Sequence, residues 1–95
     1  MKFGLNQETY NVIKEVINNN PKYKFKIFGS RAKGTYKQTS DIDIAVFGNV
    51  SKEDKFKIEN ELDKLDIIYK IDLVFVSKNT KVELLKSIEL EGEDF

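Results

Sequence analysis

Two aspartates, Asp41 and Asp43, stand two residues apart in Ser40-Asp41-Ile42-Asp43-Ile44, and a third, Asp72, stands in Ile71-Asp72-Leu73-Val74-Phe75-Val76. Both runs read as strands. Residues two apart on a strand leave the same face about 7 Å apart along the backbone, so one hard cation can bridge the first pair. Magnesium prefers oxygen ligands and is commonly held by one or two carboxylates together with substrate phosphates. Asp72 on a neighbouring strand would complete the ligand set for one or two such ions. A solvated strand face is the competing reading of Asp41 and Asp43. It fits poorly, because Ala45 and Phe47 follow on that face and aspartate is depleted in strands. For Asp72 the competing reading is an ion pair with Lys70, yet a lone carboxylate in an otherwise apolar strand is costly unless paired or coordinating a metal.

A second group precedes the acids. Gly29-Ser30 follows the alternating run Tyr23-Lys24-Phe25-Lys26-Ile27-Phe28. Glycine lets the backbone approach an anion, while the serine hydroxyl and exposed N–H groups donate to it, so the pair is a phosphate seat. Alone, Gly-Ser after a strand is more often a turn. Arg31 and Lys33 are placed to neutralise a triphosphate, arginine through its planar fork, whereas Lys22, Lys24, Lys26 and Lys37 read as ordinary surface charge. The chain has no cysteine and no histidine. That excludes a disulfide framework, thiolate or histidine zinc sites, and serine-histidine or cysteine-histidine catalysis.

The elements that must position these residues alternate along the chain. Asn6 can cap a helix over Gln7–Asn19, with Ile13, Val16 and Ile17 at helical spacing and Asn18-Asn19-Asn20-Pro21 as its stop. The strand Tyr23–Phe28 has one buried face. A polar stretch from Ser30 to Ser40 has room for a short helix, and Ile42–Phe47 is the second strand. Ser51 and Asp54 form a capping-box pattern before a helix over Lys52–Ile68. The third strand, Ile71–Val76, is apolar on both faces apart from Asp72, which predicts a central position under helices. Thr80 and Glu83 open a last helix through Val82, Leu85 and Ile88, which is expected to fray into Glu91–Phe95.

The order αβ(α)βαβα predicts an α/β (α+β) fold, a small mixed sheet with flanking helices. The helical connection between the second and third strands predicts a parallel pair, and the short polar link between the first and second suits an antiparallel one. Gly29-Ser30 then lies at the exit of the first strand, with Asp41, Asp43 and Asp72 at the entrances of the other two. All fall at one end of the sheet.

Ninety-five residues are expected to form a single domain spanning 1–95. No apolar run is long enough for a membrane span and the first residues lack the apolar core of a signal peptide, so a cytoplasmic location is expected. Basic and acidic residues number sixteen each, but residues 1–40 hold eight Lys/Arg against two Glu and residues 41–95 hold eight Lys against fourteen Asp/Glu. The zero net charge argues against general nucleic-acid binding. The sign of the charge changes at Asp41, so a site there has cations on one side and carboxylates on the other.

The segment Gly29-Ser30, ten residues, Asp41-x-Asp43 resembles the signature of the polymerase-β-like nucleotidyltransferases, and the short chain most resembles their minimal nucleotidyltransferase (MNT) branch. The motif spans fifteen residues, and the element order and Asp72 extend the likeness over most of the chain. The resemblance implies that Gly29 and Ser30 bind the nucleotide triphosphate and that Asp41, Asp43 and Asp72 hold Mg2+. It implies transfer of AMP from ATP to a hydroxyl, the acceptor's proton passing to a carboxylate such as Asp72 or to hydroxide held by the ion. Larger relatives carry an extra domain for the acceptor. The MNT branch typically works with a separate all-helical HEPN protein, often as antitoxin to that toxin, and similar proteins modify a partner tyrosine. Neutralisation by occlusion without catalysis, and transfer to a small molecule or an RNA end at a site completed by another chain, are the alternatives.

Overall fold

A computed structural model describes residues 2–95. Helix α1 (Gln7–Asn18) begins where Asn6 accepts a hydrogen bond from the Thr9 N–H at 2.8 Å. Strand β1 (Lys24–Phe28) follows, then a single helical turn α2 (Ser30–Lys33) and strand β2 (Ile42–Phe47). Helix α3 (Lys52–Asp63) is capped by the Ser51 hydroxyl, which accepts from the Asp54 N–H at 3.1 Å. Strand β3 (Ile71–Phe75), helix α4 (Val82–Glu91) and a two-residue strand β4 (Glu93–Asp94) complete the chain.

The sheet order is β3-β2-β1-β4. β1 is antiparallel to β2 and to β4, and β2 is parallel to β3, as the connection lengths predict. Strand alternation divides the core. Ile42, Ile44 and Val46 of β2 join Phe25 and Ile27 of β1 against Ile13 and Val16 of α1 and Ile58 and Leu62 of α3. Ala45 and Phe28 point the other way, onto Ile88 of α4.

Several expectations are corrected. β3 is an edge strand, not a central one, and all five of its residues are half-buried. Its apolarity on both faces reports cover above and below: Ile71, Leu73 and Phe75 pack toward the α1 and α3 core, and Val74 toward Ile88. In-plane neighbours leave no such trace in the pattern. Helix α3 stops at Asp63, and Leu65 and Ile67 pack on the core from a loop in which Ile68 is exposed. At α4 the helix cap is Lys81, because the Thr80 hydroxyl instead accepts from the Ser77 N–H at 2.9 Å.

The last residues do not fray. β4 pairs Glu93 with Ile27 and Asp94 with Lys26, which delivers Phe95 into the core. Its ring stacks on Tyr10 at 5.1 Å and tilts against Phe3 at 5.6 Å, and its carbonyl accepts from Lys14 Nζ at 2.5 Å. Phe95→Ala is therefore expected to cost roughly 3 kcal/mol, the usual penalty for emptying a buried phenylalanine site. A urea melt checks this, and a midpoint unchanged from wild type would show that the tail does not contribute to the core.

Candidate active site

Antiparallel pairing sets Phe28 opposite Asp43, and parallel pairing sets Asp43 beside Asp72. The exit of β1 and the entrances of β2 and β3 thereby meet at one end of the sheet. Gly29 is the close contact. It has φ 75° and ψ −154°, and a Cβ placed there would collide with Oδ2 of Asp43. This backbone region is essentially reserved for glycine, so the residue serves both the turn and the approach of the carboxylate. Ser30 then opens α2, with the Lys33 N–H returning to the Gly29 carbonyl at 3.1 Å.

The carboxylates form a like-charge group. Asp43 is half-buried and its pKa is raised, first by burial, then by the charge of Asp72 and by that of Asp41, with a further contribution from hydrogen bonding to Asp72. Asp72, with its side chain 45% exposed, also meets Lys70 Nζ at 3.6 Å, so the ion pair weighed against a metal role does form. It is a pair with an exposed lysine and leaves the Asp72–Asp43 adjacency intact. Asp41 is exposed at the strand entrance and acts on Asp43 through its charge. Among the described residues no three acidic side chains are already drawn into one ligand cluster. Like charges gathered this closely favour a bound cation. The donor set, three carboxylates at one sheet end beside a glycine-lined approach, fits a hard cation.

Arg31 is not at the phosphate seat, and its expected role there is corrected. It is 2% exposed. Its Nε and Nη2 donate to the Ser40 carbonyl at 3.1 and 2.9 Å, Nη2 also reaches the carbonyls of Gln38 and Lys37, and Nη1 donates to that of Phe3 at 2.9 Å. Every donor-bearing nitrogen is thus engaged by backbone. Lys33 stays on the surface with its side chain 48% exposed, paired with Glu91 of α4 at 3.2 Å. Sequence reasoning missed Tyr36 and Tyr69, whose rings lie 5.2 and 4.7 Å from the Arg31 guanidinium carbon. It also missed Gly4, at φ 71°, where a Cβ would strike the Tyr36 ring. No spacing pattern marks these residues, because their meeting is purely tertiary.

A cleft of about 330 Å3 lies elsewhere, lined by Leu62, Leu65, Ile67, Tyr69 and Ile71 beside α3. Asp63 and Lys70 also line it, but none of Asp41, Asp43 and Asp72 does. Of the three acids, Asp41 is exposed and Asp43 and Asp72 are half-buried.

Residues 11–94 match the nucleotidyltransferase family of polymerase beta. The chain belongs to this family. The match contains every residue of the glycine-serine and aspartate groups. Among solved structures, a toxin–antitoxin with AMP-PNP is 28% identical with a TM-score of 0.66, over 95% of this chain and 72% of that one. An MntA–HpeT toxin–antitoxin carrying two Asp-to-Glu substitutions two residues apart is 26% identical with a TM-score of 0.63, over 87% of this chain and 68% of that one. A Tyr-to-Ala mutant of MntA–HpeT is 28% identical with a TM-score of 0.64, over 90% of this chain and 70% of that one. The resemblance to the MNT branch is therefore shared by this nucleotidyltransferase's structural neighbours, and the mixed sheet with flanking helices is the family's fold. No curated protein matches the chain significantly. No helix among the described residues is long and apolar enough to cross a membrane.

Proposed function

We propose that this nucleotidyltransferase moves AMP from ATP to a hydroxyl on a separate protein, a tyrosine of a helical HEPN-type toxin, and thereby acts as its antitoxin. The observation that carries the chemistry is the meeting of Asp43 with Asp72 on paired strands, with Gly29 against the Asp43 carboxylate. The toxin–antitoxin neighbours, one of them with AMP-PNP, support the partner and the nucleotide.

In this reading Gly29 and the Ser30 hydroxyl bind phosphate oxygens, while Asp41, Asp43 and Asp72 hold one or two magnesium ions. Bound magnesium supplies charge neutralisation at the triphosphate. The acceptor oxygen bonds to the α-phosphorus, the bond from that phosphorus to the bridging oxygen breaks, and pyrophosphate leaves with the electron pair. The acceptor proton passes to a carboxylate such as Asp72 or to hydroxide. The exposure of Asp41 and the 45% exposure of the Asp72 side chain suit an acceptor carried on another chain.

Incubation with α-labelled ATP, Mg2+ and the candidate toxin is expected to label the toxin and silence it. The Asp41→Asn/Asp43→Asn variant is expected to lose both effects. If that variant still neutralises the toxin, occlusion replaces catalysis as the mode of action.

A further inference from the structure

One buried guanidinium touches the segments that carry the whole site. Arg31 lies on α2, directly after Gly29-Ser30. It holds the carbonyls of Lys37, Gln38 and Ser40, and Ser40 is joined covalently to Asp41. The Tyr69 ring, 4.7 Å away, belongs to the segment that enters β3 three residues before Asp72. A fourth carbonyl, that of Phe3, ties in the chain before α1. The turn it grips is tight, with the Ser40 N–H donating to the Lys37 carbonyl at 3.0 Å and the Ser40 hydroxyl accepting from the Lys37 N–H at 2.8 Å.

We propose that Arg31 is a positioning residue that fixes the distance between the Gly29-Ser30 seat and the carboxylate of Asp41, touching neither nucleotide nor metal itself. The proposal rests on the nucleotidyl-transfer reading. The planar fork is what the role requires. It presents N–H groups to carbonyls on two sides while its face lies against aromatic rings, and an ammonium on a flexible stem does neither. Asp41 lies outside the ladder, since β2 begins at Ile42, whereas Asp72 is the second residue of β3 and is held in register beside Asp43. A loosened guanidinium therefore lets Asp41 drift against the paired Asp43 and Asp72 while the strand ladder stays in place.

The test uses Arg31→Lys and Tyr69→Leu in the full chain, with Mn2+ and AMP-PNP as probes. Two quantities are read: the Mn2+ concentration at half-maximal rise in melting temperature with AMP-PNP present, and kcat against KM for ATP. For Arg31→Lys the Mn2+ midpoint is expected to rise roughly 10-fold or more, as when a residue supporting metal ligands is lost. Its kcat is expected to fall about 100-fold with KM for ATP nearly unchanged, the mark of misplaced reacting groups. Tyr69→Leu should move both in the same direction by less, and the double variant should fall short of additivity. A folded Arg31→Lys protein with a wild-type Mn2+ midpoint overturns the proposal. A raised KM with kcat retained also overturns it and returns the guanidinium to the phosphates. If Arg31→Lys does not fold at the assay temperature, Tyr69→Leu decides alone, an unchanged midpoint counting against. Should the wild-type protein bind Mn2+ with AMP-PNP yet transfer nothing, the transfer reading fails while the midpoints still decide the role of Arg31.

Discussion

Asp43→Asn is expected to abolish nucleotidyl transfer and, at the same time, to raise the melting temperature of the metal-free protein. The pKa of Asp43 is raised by burial and by the charges of Asp72 and Asp41. A carboxyl whose folded pKa lies above its unfolded value binds its proton more tightly when folded, so folding loses stability as pH rises from the unfolded value through the folded one. At neutral pH the ionised group is a liability in the absence of a cation. Asparagine keeps the shape and removes the charge, and each kcal/mol of relieved repulsion appears as about 4–8 °C in a domain of this size. Activity moves the other way. Losing several kcal/mol of metal-mediated charge stabilisation corresponds to a rate loss of roughly 1,000-fold or more. Thermal melts between pH 4 and 8 check the first half, since the wild-type curve should decline relative to the variant's as pH rises. A metal-free variant less stable than wild type at neutral pH would mean that the carboxylate holds the fold together, contrary to this account.

Gly29→Ala carries the second largest expected effect. The backbone there, at φ 75° and ψ −154°, suits only glycine, and the added methyl meets the Asp43 carboxylate. The conformational part alone costs about 1–3 kcal/mol. Displacement of Asp43 adds to it and is expected to reduce transfer about 100-fold, the scale set by misplacing a reacting group by an ångström. The two causes separate in a double variant. Adding Asp43→Ala to Gly29→Ala removes the group the methyl strikes, so part of the melting temperature should return while the backbone part of the loss remains. If Gly29→Ala melts and transfers like wild type, the close approach of Asp43 to the turn is not a feature of the working site.

The placement of the acids and the glycine turn at one end of the sheet was legible because it follows from spacing and connection length. Two aspartates on one strand face, a third after an intervening helix, and Gly-Ser ten residues upstream need only the correct strand pairing to meet, and the connection lengths predict that pairing. Arg31 was not legible. A basic residue beside a phosphate seat reads as a phosphate ligand, and only the arrival of Phe3, Tyr36 and Tyr69 from elsewhere in the chain buries it. The edge position of β3 was hidden for a different reason, since a pattern of apolar residues reports helices packed on the faces and carries nothing about strands at the sides. The tail misled because Glu91–Asp94 is acidic and polar, whereas its order comes from the single buried ring of Phe95 and a two-residue pairing with β1. Helix α3 likewise kept its apolar spacing beyond Asp63, because Leu65 reaches the same core from a loop.

A crystal grown with Mn2+ and AMP-PNP locates the metal through its anomalous signal. The expected map shows one or two manganese peaks within bonding distance of the carboxylates of Asp41, Asp43 and Asp72, with the triphosphate beside Gly29 and Ser30. Manganese bound away from these three side chains, or a nucleotide seated at another face of the sheet, would contradict it.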